Sequence, residues 1–123
     1  MLNSALFAIM EEAGAAVMIL GEEVAREEFM ASRLTRGEAQ RQLLIMIGTI
    51  DSVPDSARDL LPELEWAGWS KLGHELQPGA DHAEDALWFA LRSLVPATLM
   101  WLQVYRRQRP ELFTFTCSTL FDP

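Results

Sequence analysis

The apolar residues of this chain recur at steps of three and four, and this helical periodicity limits the fold more than any other feature. Such spacing is typical of a helix that buries one face. Between residues 1 and 110 no segment alternates as a strand does, so the sequence predicts an all-α domain there. The three stripes are Leu2, Leu6, Ile9, Ala13, Val17, Leu20 and Val24; Ala39, Leu43, Met46, Ile47, Ile50 and Val53; and Leu87, Leu91, Leu94, Thr98, Trp101, Leu102 and Tyr105.

Prolines and turn residues divide this domain into about four to five helices. Pro54 ends the second stripe, and a short helix is expected to begin near Ser56. The segment "PELEWAGWSKLGHELQ", residues 62–77, predicts a helix whose two glycines permit close backbone approach. After the turn "PGAD", a long last helix is expected from Asp81, with a kink at Pro96.

The C-terminal tail, residues 111–123, has a different pattern. Phe113, Phe115 and Cys117 alternate with hydroxyl residues, which is the periodicity of a strand. A lone strand has no sheet to join in an all-α domain. The tail is therefore expected either as an extended arm packed over the helices or as a segment that docks onto a second chain.

Charge and composition exclude several classes of protein. With 18 acidic against 10 basic residues and a net charge of -8, the surface as a whole repels nucleic acid and anionic lipid. The single cysteine, Cys117, forms no internal disulfide, which favours the cytoplasm. The N-terminus lacks the basic start of a signal peptide, and the apolar run "LLIMIGTI" is far shorter than the roughly 20 residues of a membrane helix. We expect no membrane association.

Both histidines lie in "WSKLGHELQPGADHAEDALW", residues 69–88, together with several carboxylates. A zinc-binding helix places two histidines four residues apart, whereas His74 and His82 are separated by a Pro-Gly turn. We therefore predict no metal and no cofactor. Asp81 and Glu84 have the spacing of a capping box at the start of the last helix, Asp85 suits the same terminus, and His82 is expected in solvent.

His74 is the candidate catalytic residue. In a helix over residues 62–77, Ser70 and Lys71 lie four and three positions before His74 and share its face. Imidazole, ammonium and hydroxyl groups together can move a proton and hold a phosphate. Three polar residues on one helix face are also ordinary surface, so the pattern alone leaves both interpretations open.

The order of motifs resembles the HepT-like family of HEPN proteins. The similarity spans about Phe29 to Arg109 and depends on "LTR", on the apolar run ending at Gly48, on "PELEW", on the histidine-bearing helix, and on the spacing from Trp88 to Pro96. The resemblance implies a small helical HEPN-type bundle, encoded beside a minimal nucleotidyltransferase in toxin-antitoxin pairs. It also implies a homodimer and a nucleotidyltransferase-fold partner.

In that family the chemistry depends on a motif of arginine, four further residues, histidine, one residue and tyrosine. As the resemblance implies, two such motifs meet in a dimer cleft and cut RNA without a metal, and the partner enzyme adenylates the tyrosine. Aligned on His74, this chain has Trp69 at the arginine position, or Ser70 with a one-residue gap, and Leu76 at the tyrosine position. Neither replacement supplies a cation or a phenol.

Two functions follow from the partial motif. In the first, the protein is a catalytically weakened or inactive HEPN homologue that dimerises and binds a partner. In the second, it is a metal-independent endoribonuclease in which His74 moves the proton, Lys71 or a neighbour's arginine binds the phosphate, and Ser70 assists. Arg92, Arg106 and Arg107 are further candidate cations. The four tryptophans are expected as core and interface anchors, because the surrounding charge opposes base stacking.

Overall fold

Six helices follow one another in residues 3–113, which are the residues described by this computed structural model. They are α1 (Asn3–Gly21), α2 (Arg26–Ala31), α3 (Arg33–Asp51), α4 (Asp55–Leu60), α5 (Trp66–Glu75) and α6 (Ala83–Gln108). A 3-10 turn, Pro110–Leu112, follows α6. Residues 3–113 contain no strand, which confirms the predicted all-α class.

A break at Ser32 produces one helix more than the four to five predicted. The Ser32 side chain accepts a hydrogen bond from the Thr35 backbone N–H, which caps α3 and separates it from the short α2. The second apolar stripe lies on α3 as expected, and α3 ends before Pro54. Helix α4 begins at Asp55, directly after Pro54 and one residue before the predicted start at Ser56.

The core lies between α1, α3 and α6. Its largest fully buried side chains include Phe7 and Met10 of α1, Leu43 and Met46 of α3, and Leu102 of α6. Part of the predicted first stripe is wrong: Ile9 is exposed, whereas its neighbours Phe7 and Met10 are completely buried. The apolar residues of α1 surround more than one face, so periodicity alone does not select the buried one.

Two glycines of α1 allow α6 to approach closely. A Cβ atom added at Gly14 would lie 2.8 Å from Leu99 Cδ2, and one added at Gly21 would lie 2.5 Å from Leu91 Cδ2. Real Cβ atoms do not approach other atoms this closely, and Leu91 is buried. The close packing of α1 against α6 therefore requires residues without a side chain at positions 14 and 21.

We expect Gly21→Ala to lower the free energy of unfolding by about 1–3 kcal/mol, because the new methyl group forces Leu91 out of its place. The matched control is Gly37→Ala on α3, where an added Cβ has no neighbour within 4 Å. This control should stabilise a single subunit by up to about 1 kcal/mol through helix propensity, so both variants are measured at a concentration at which the protein is monomeric. Denaturant unfolding measures both values, and an equal gain from the two substitutions would contradict the close approach.

Helix α6 is interrupted upstream of Pro96. The segment Ala90–Leu94 is π-helical, and the Val95 N–H donates to the Ala90 carbonyl oxygen. Pro96 carries no N–H, so the regular hydrogen-bond pattern fails in this turn. The predicted irregularity at Pro96 therefore takes the form of a π-helical segment.

The start of α6 corrects one prediction. The helix begins at Ala83 with His82 at its N-cap position, and no side chain caps it. The capping box predicted for Asp81 and Glu84 is therefore wrong. The Asp85 carboxylate accepts a hydrogen bond from Arg26, which lowers the pKa of Asp85.

Helix α5 begins four residues later than predicted, at Trp66 rather than Pro62. Tyr105 of α6 holds the loop before α5. Its hydroxyl accepts a hydrogen bond from the Glu63 backbone N–H at 2.9 Å and donates one to the Glu63 carboxylate. The Trp66 indole N–H donates to the Leu61 carbonyl oxygen at 3.0 Å. These contacts fix residues 61–66 in a turn, and α5 continues from this turn in contact with α3.

Two helical stretches, Ser4–Gly21 and Ala83–Gln108, are long and apolar enough to cross a membrane by length and composition. Core helices of soluble proteins have the same properties. Here α1 and α6 contact each other and contribute Phe7, Met10, Val95 and Leu102 to the core.

The beginning of the tail packs on the helices. The Phe113 ring lies 5.0 Å from the Phe7 ring, between centroids, and the Arg106 guanidinium lies 4.8 Å from the Phe113 centroid. Phe115 and Cys117, which carry the predicted strand periodicity, lie outside the described residues.

Candidate functional site

His74 lies on the exposed side of α5, in a shallow depression of about 220 Å³ between α3 and α5. We call this depression the α3/α5 groove. Helix α3 contributes Ile47 and Asp51, and α5 with the turn after it contributes Ser70, Gly73, His74 and Gln77. The imidazole is therefore accessible to a ligand.

Contacts at Gly73 and Gln40 place α5 beside α3. A Cβ atom added at Gly73 would lie 3.4 Å from Ile47 Cγ2, which is an ordinary van der Waals distance, so the two helices are neighbours here but a methyl group would also fit. The Gln40 side-chain amide of α3 donates to the Leu76 carbonyl oxygen at the end of α5, at 3.5 Å. The close approach predicted for the glycines of α5 is therefore not required at Gly73, although the contact with α3 places His74 beside that helix.

The structure separates the three predicted site residues. Ser70 and His74 line the α3/α5 groove together, as their four-residue spacing predicts. Lys71 lines a different depression, of about 400 Å³, on the α6 side of α5, with Glu75, Asp85 and Phe89 among its neighbours. All three side chains are exposed, but the ammonium group belongs to another surface.

Asp51 is a groove residue that the sequence does not single out. It is the last residue of α3, and α4 with its flanking turns brings α5 back alongside it. The groove therefore combines a carboxylate, an imidazole and a hydroxyl. Such a set can accept or donate protons, and its charge favours cationic or hydrogen-bond-donating ligands over phosphate.

Two of the three candidate arginines of α6 have partners outside the groove. Arg92 donates to the Val24 carbonyl oxygen, and its guanidinium lies 4.5 Å from the centroid of Trp88. Arg106 pairs with Glu11, and Arg107 is exposed in the last turn of α6. Within residues 3–113, no lysine or arginine lines the α3/α5 groove.

Trp69 and Leu76, which the ungapped alignment on His74 places at the motif's arginine and tyrosine positions, are in the core, whereas Ser70, the alternative for the arginine, is exposed. Trp69 is 1% exposed, and its indole N–H donates to the Thr98 hydroxyl of α6 at 2.9 Å. Leu76 is 5% exposed at the end of α5. Both side chains hold helices together and neither reaches the groove surface.

His82 lies in a separate depression with Arg26, Asp81, Glu84 and Asp85. Its side chain is 78% exposed, in agreement with the expected solvent position, and its Nδ1 lies 3.9 Å from Asp85 Oδ2. In the described part of the chain, no three metal-ligating side chains cluster as a metal ion would require.

The tryptophans act as anchors, as predicted. Trp69 is fully buried, and Trp66, Trp88 and Trp101 pack half-buried against the core. The ring centroids of Trp88 and Phe29 lie 5.7 Å apart, and those of Trp101 and Tyr105 lie 5.9 Å apart. These contacts join α2 to α6 and stabilise α6 itself.

Comparison of the chain with protein-family models, with curated proteins and with solved structures finds no match. Its function must therefore be inferred from α5 and the surfaces around it.

Proposed function

We propose that the chain is a HepT-like HEPN protein of a toxin-antitoxin-type pair, which acts through dimerisation and partner binding and has lost most or all nuclease activity. The order of elements supports this proposal. A long α3 carries the second stripe, "PELEW" forms the turn into α5, α5 presents its histidine, and a long last helix follows. This is the order of motifs in the family that the sequence resembles.

The observation that carries the loss of activity is the burial of Trp69. Cleavage of RNA requires a cation where charge develops on the phosphate. At the arginine position of the ungapped alignment the chain has an indole that is inside the core and hydrogen-bonded to Thr98, and with the one-residue gap it has Ser70, which carries no charge. Restoring a guanidinium at Trp69 would disrupt the core, so that position has a structural role.

The surroundings of His74 support the same conclusion. Asp51 places a carboxylate in the groove, and Lys71 lies on the other flank of α5. A phosphodiester approaching His74 therefore meets a negative charge and finds no cation from the same subunit. Leu76, at the tyrosine position, has no hydroxyl group that an adenylating partner enzyme could modify.

One observation favours the second candidate function, a metal-independent endoribonuclease. His74 and Ser70 are both exposed in one groove, so a proton-transferring group is accessible there. This function requires that a second subunit supply the arginine.

The proposed setting is the cytoplasm, with a nucleotidyltransferase-fold protein as partner. The net charge of -8 suits a partner whose contact surface is basic. Copurification of tagged protein with the product of the neighbouring gene tests this part of the proposal, and no complex with a nucleotidyltransferase-fold protein would contradict it.

We expect no RNA cleavage by the purified protein and the same result for His74→Ala. Incubation with a labelled RNA, followed by gel electrophoresis, measures this. His82→Ala is the matched control, because it removes the chain's other histidine from a different surface. Cleavage by the wild type that His74→Ala abolishes and His82→Ala retains would establish the endoribonuclease instead.

A further inference from the structure

The solvent face of α3 is unusually apolar. Leu34 is 89% exposed, Leu44 is 49% exposed and Ile45 is 37% exposed. With 3.6 residues per turn, these three positions share one side of the helix with Gly37, Arg41 and Gly48. We call these six residues the α3 face. A solvated helix face is normally polar, so large apolar side chains along one helix indicate a contact surface.

The two glycines leave this face open to a neighbour. A Cβ atom added at Gly37 or at Gly48 would meet no atom within 4 Å. Nothing in the fold of one subunit therefore requires glycine at these positions, although each weakens the helix by about 1 kcal/mol relative to alanine. A second helix lying across the α3 face would use that space.

The distribution of charge along α3 favours a second copy of α3, in antiparallel orientation, as the helix that packs on this face. Arg33, Arg36 and Arg41 lie in its N-terminal half, with Glu38 as the one acid there, and Asp51 ends the helix. A second α3 in parallel orientation would bring like charges together. In antiparallel orientation, the arginine-rich half meets the acidic end, and the helix dipoles also oppose each other favourably.

We propose that a second copy of this chain packs antiparallel against the α3 face, about a two-fold axis between Gln42 and Leu43. This inference rests on the dimerisation in the proposed function and names its surface. About that axis, Gly37 lies opposite Gly48, and Leu44 lies opposite Arg41. The glycines lie on both sides of a centre formed by Leu44 and Arg41 of the two copies, and the absence of their side chains lets the helices approach closely.

The same arrangement brings one residue of the second copy to the α3/α5 groove. Counted along the helix, Arg33 and Ser52 are equally far from the axis, and Ser52 is the neighbour of Asp51. Arg33 and Asp51 also lie on the same flank of α3, because they are 18 positions apart, which makes about five full turns. Arg33 of the second copy therefore lies level with Asp51, beside the groove that holds His74. Arg33 of the second copy can therefore pair with Asp51 across the interface, which neutralises both charges and leaves His74 without a free cation.

The first test is the oligomeric state, measured by sedimentation. The wild type should be a dimer, and Leu44→Glu should raise its dissociation constant by at least about 30-fold. Met100→Glu on α6 is the matched control, since Met100 is 52% exposed, and it should remain dimeric. A circular dichroism spectrum unchanged from the wild type shows that each variant is folded.

The second test is disulfide trapping in a Cys117→Ser background, which removes the chain's one native thiol. A Gly37→Cys chain mixed with a Gly48→Cys chain should give a mixed covalent dimer on oxidation, in higher yield than either chain alone. Higher yield from Gly37→Cys alone would indicate parallel packing and overturn the register.

The outcomes separate this inference from the proposed function. If the Leu44→Glu variant is still a dimer, the α3 face is not the dimer interface, although the protein still dimerises. A monomeric wild type overturns both the face and the dimerisation. Binding of the partner protein is measured independently, so its failure bears on the proposed function alone.

Discussion

Replacement of Trp69 by alanine is expected to lower the free energy of unfolding by about 3–5 kcal/mol. Trp69 is the largest of the fully buried side chains, and its indole N–H is hydrogen-bonded to Thr98. Truncation leaves a cavity between α5 and α6 and an unpaired hydroxyl group. Urea unfolding followed by circular dichroism measures this loss of stability. If the stability of the wild type is at the low end of the ordinary range, part of the variant population will be unfolded without urea.

Two further variants divide this effect into packing and hydrogen bonding. Thr98→Val keeps the shape of the side chain but leaves the indole N–H unpaired, and should cost about 1–3 kcal/mol. Trp66→Ala removes a tryptophan that is only half-buried, and should cost less than Trp69→Ala. If both tryptophan variants lost the same stability, the buried Trp69 would not be a stronger anchor than the half-buried Trp66.

The second large effect is a loss of stability at alkaline pH that depends on Tyr105. Burial, and then the hydrogen bond to Glu63, raises the pKa of Tyr105 to about 12 from its ordinary value of 10.0. Because the folded state holds the proton more tightly, the contribution is complete below about pH 10 and is lost as the pH rises towards 12. The free energy of unfolding should fall by about 2–3 kcal/mol across this window.

Tyr105→Phe provides the control, since lysine, arginine and cysteine groups also titrate at high pH. The pH dependence of the wild type minus that of Tyr105→Phe isolates the phenol. Tyr105 is the chain's one tyrosine, so the ultraviolet absorbance of tyrosinate reports its ionisation directly. Titration of the native protein near pH 10 would contradict the burial and the Glu63 contact.

The contact between Tyr105 and Glu63 also shows why one helix boundary was predicted wrongly. Pro62 and the following acids have the composition of a helix start, yet α5 begins at Trp66. The residue that holds Glu63 in a turn lies 42 positions further along the chain. No local pattern contains that information.

Among the site residues, too, some positions follow from local spacing and others depend on contacts between helices. Ser70 and His74 share a groove because they are one helical turn apart, and this was predicted from spacing. Lys71 was predicted on the same face, but α3 packs on one flank of α5 and α6 on the other, so the ammonium lines a different depression. Asp51 joins the groove only through the return of the chain after α4.

The helical class, the long α3, the disturbance at Pro96 and the packing of the tryptophans against the core can be predicted from the sequence, because periodicity, proline geometry and side-chain size act within a few residues. Which side chains of α5 face a common groove, where α5 begins, and the place of Leu76 in the core follow from the tertiary structure alone. Each of these depends on contacts between helices that are distant in the chain, and the free energy of such contacts is not encoded in any short segment.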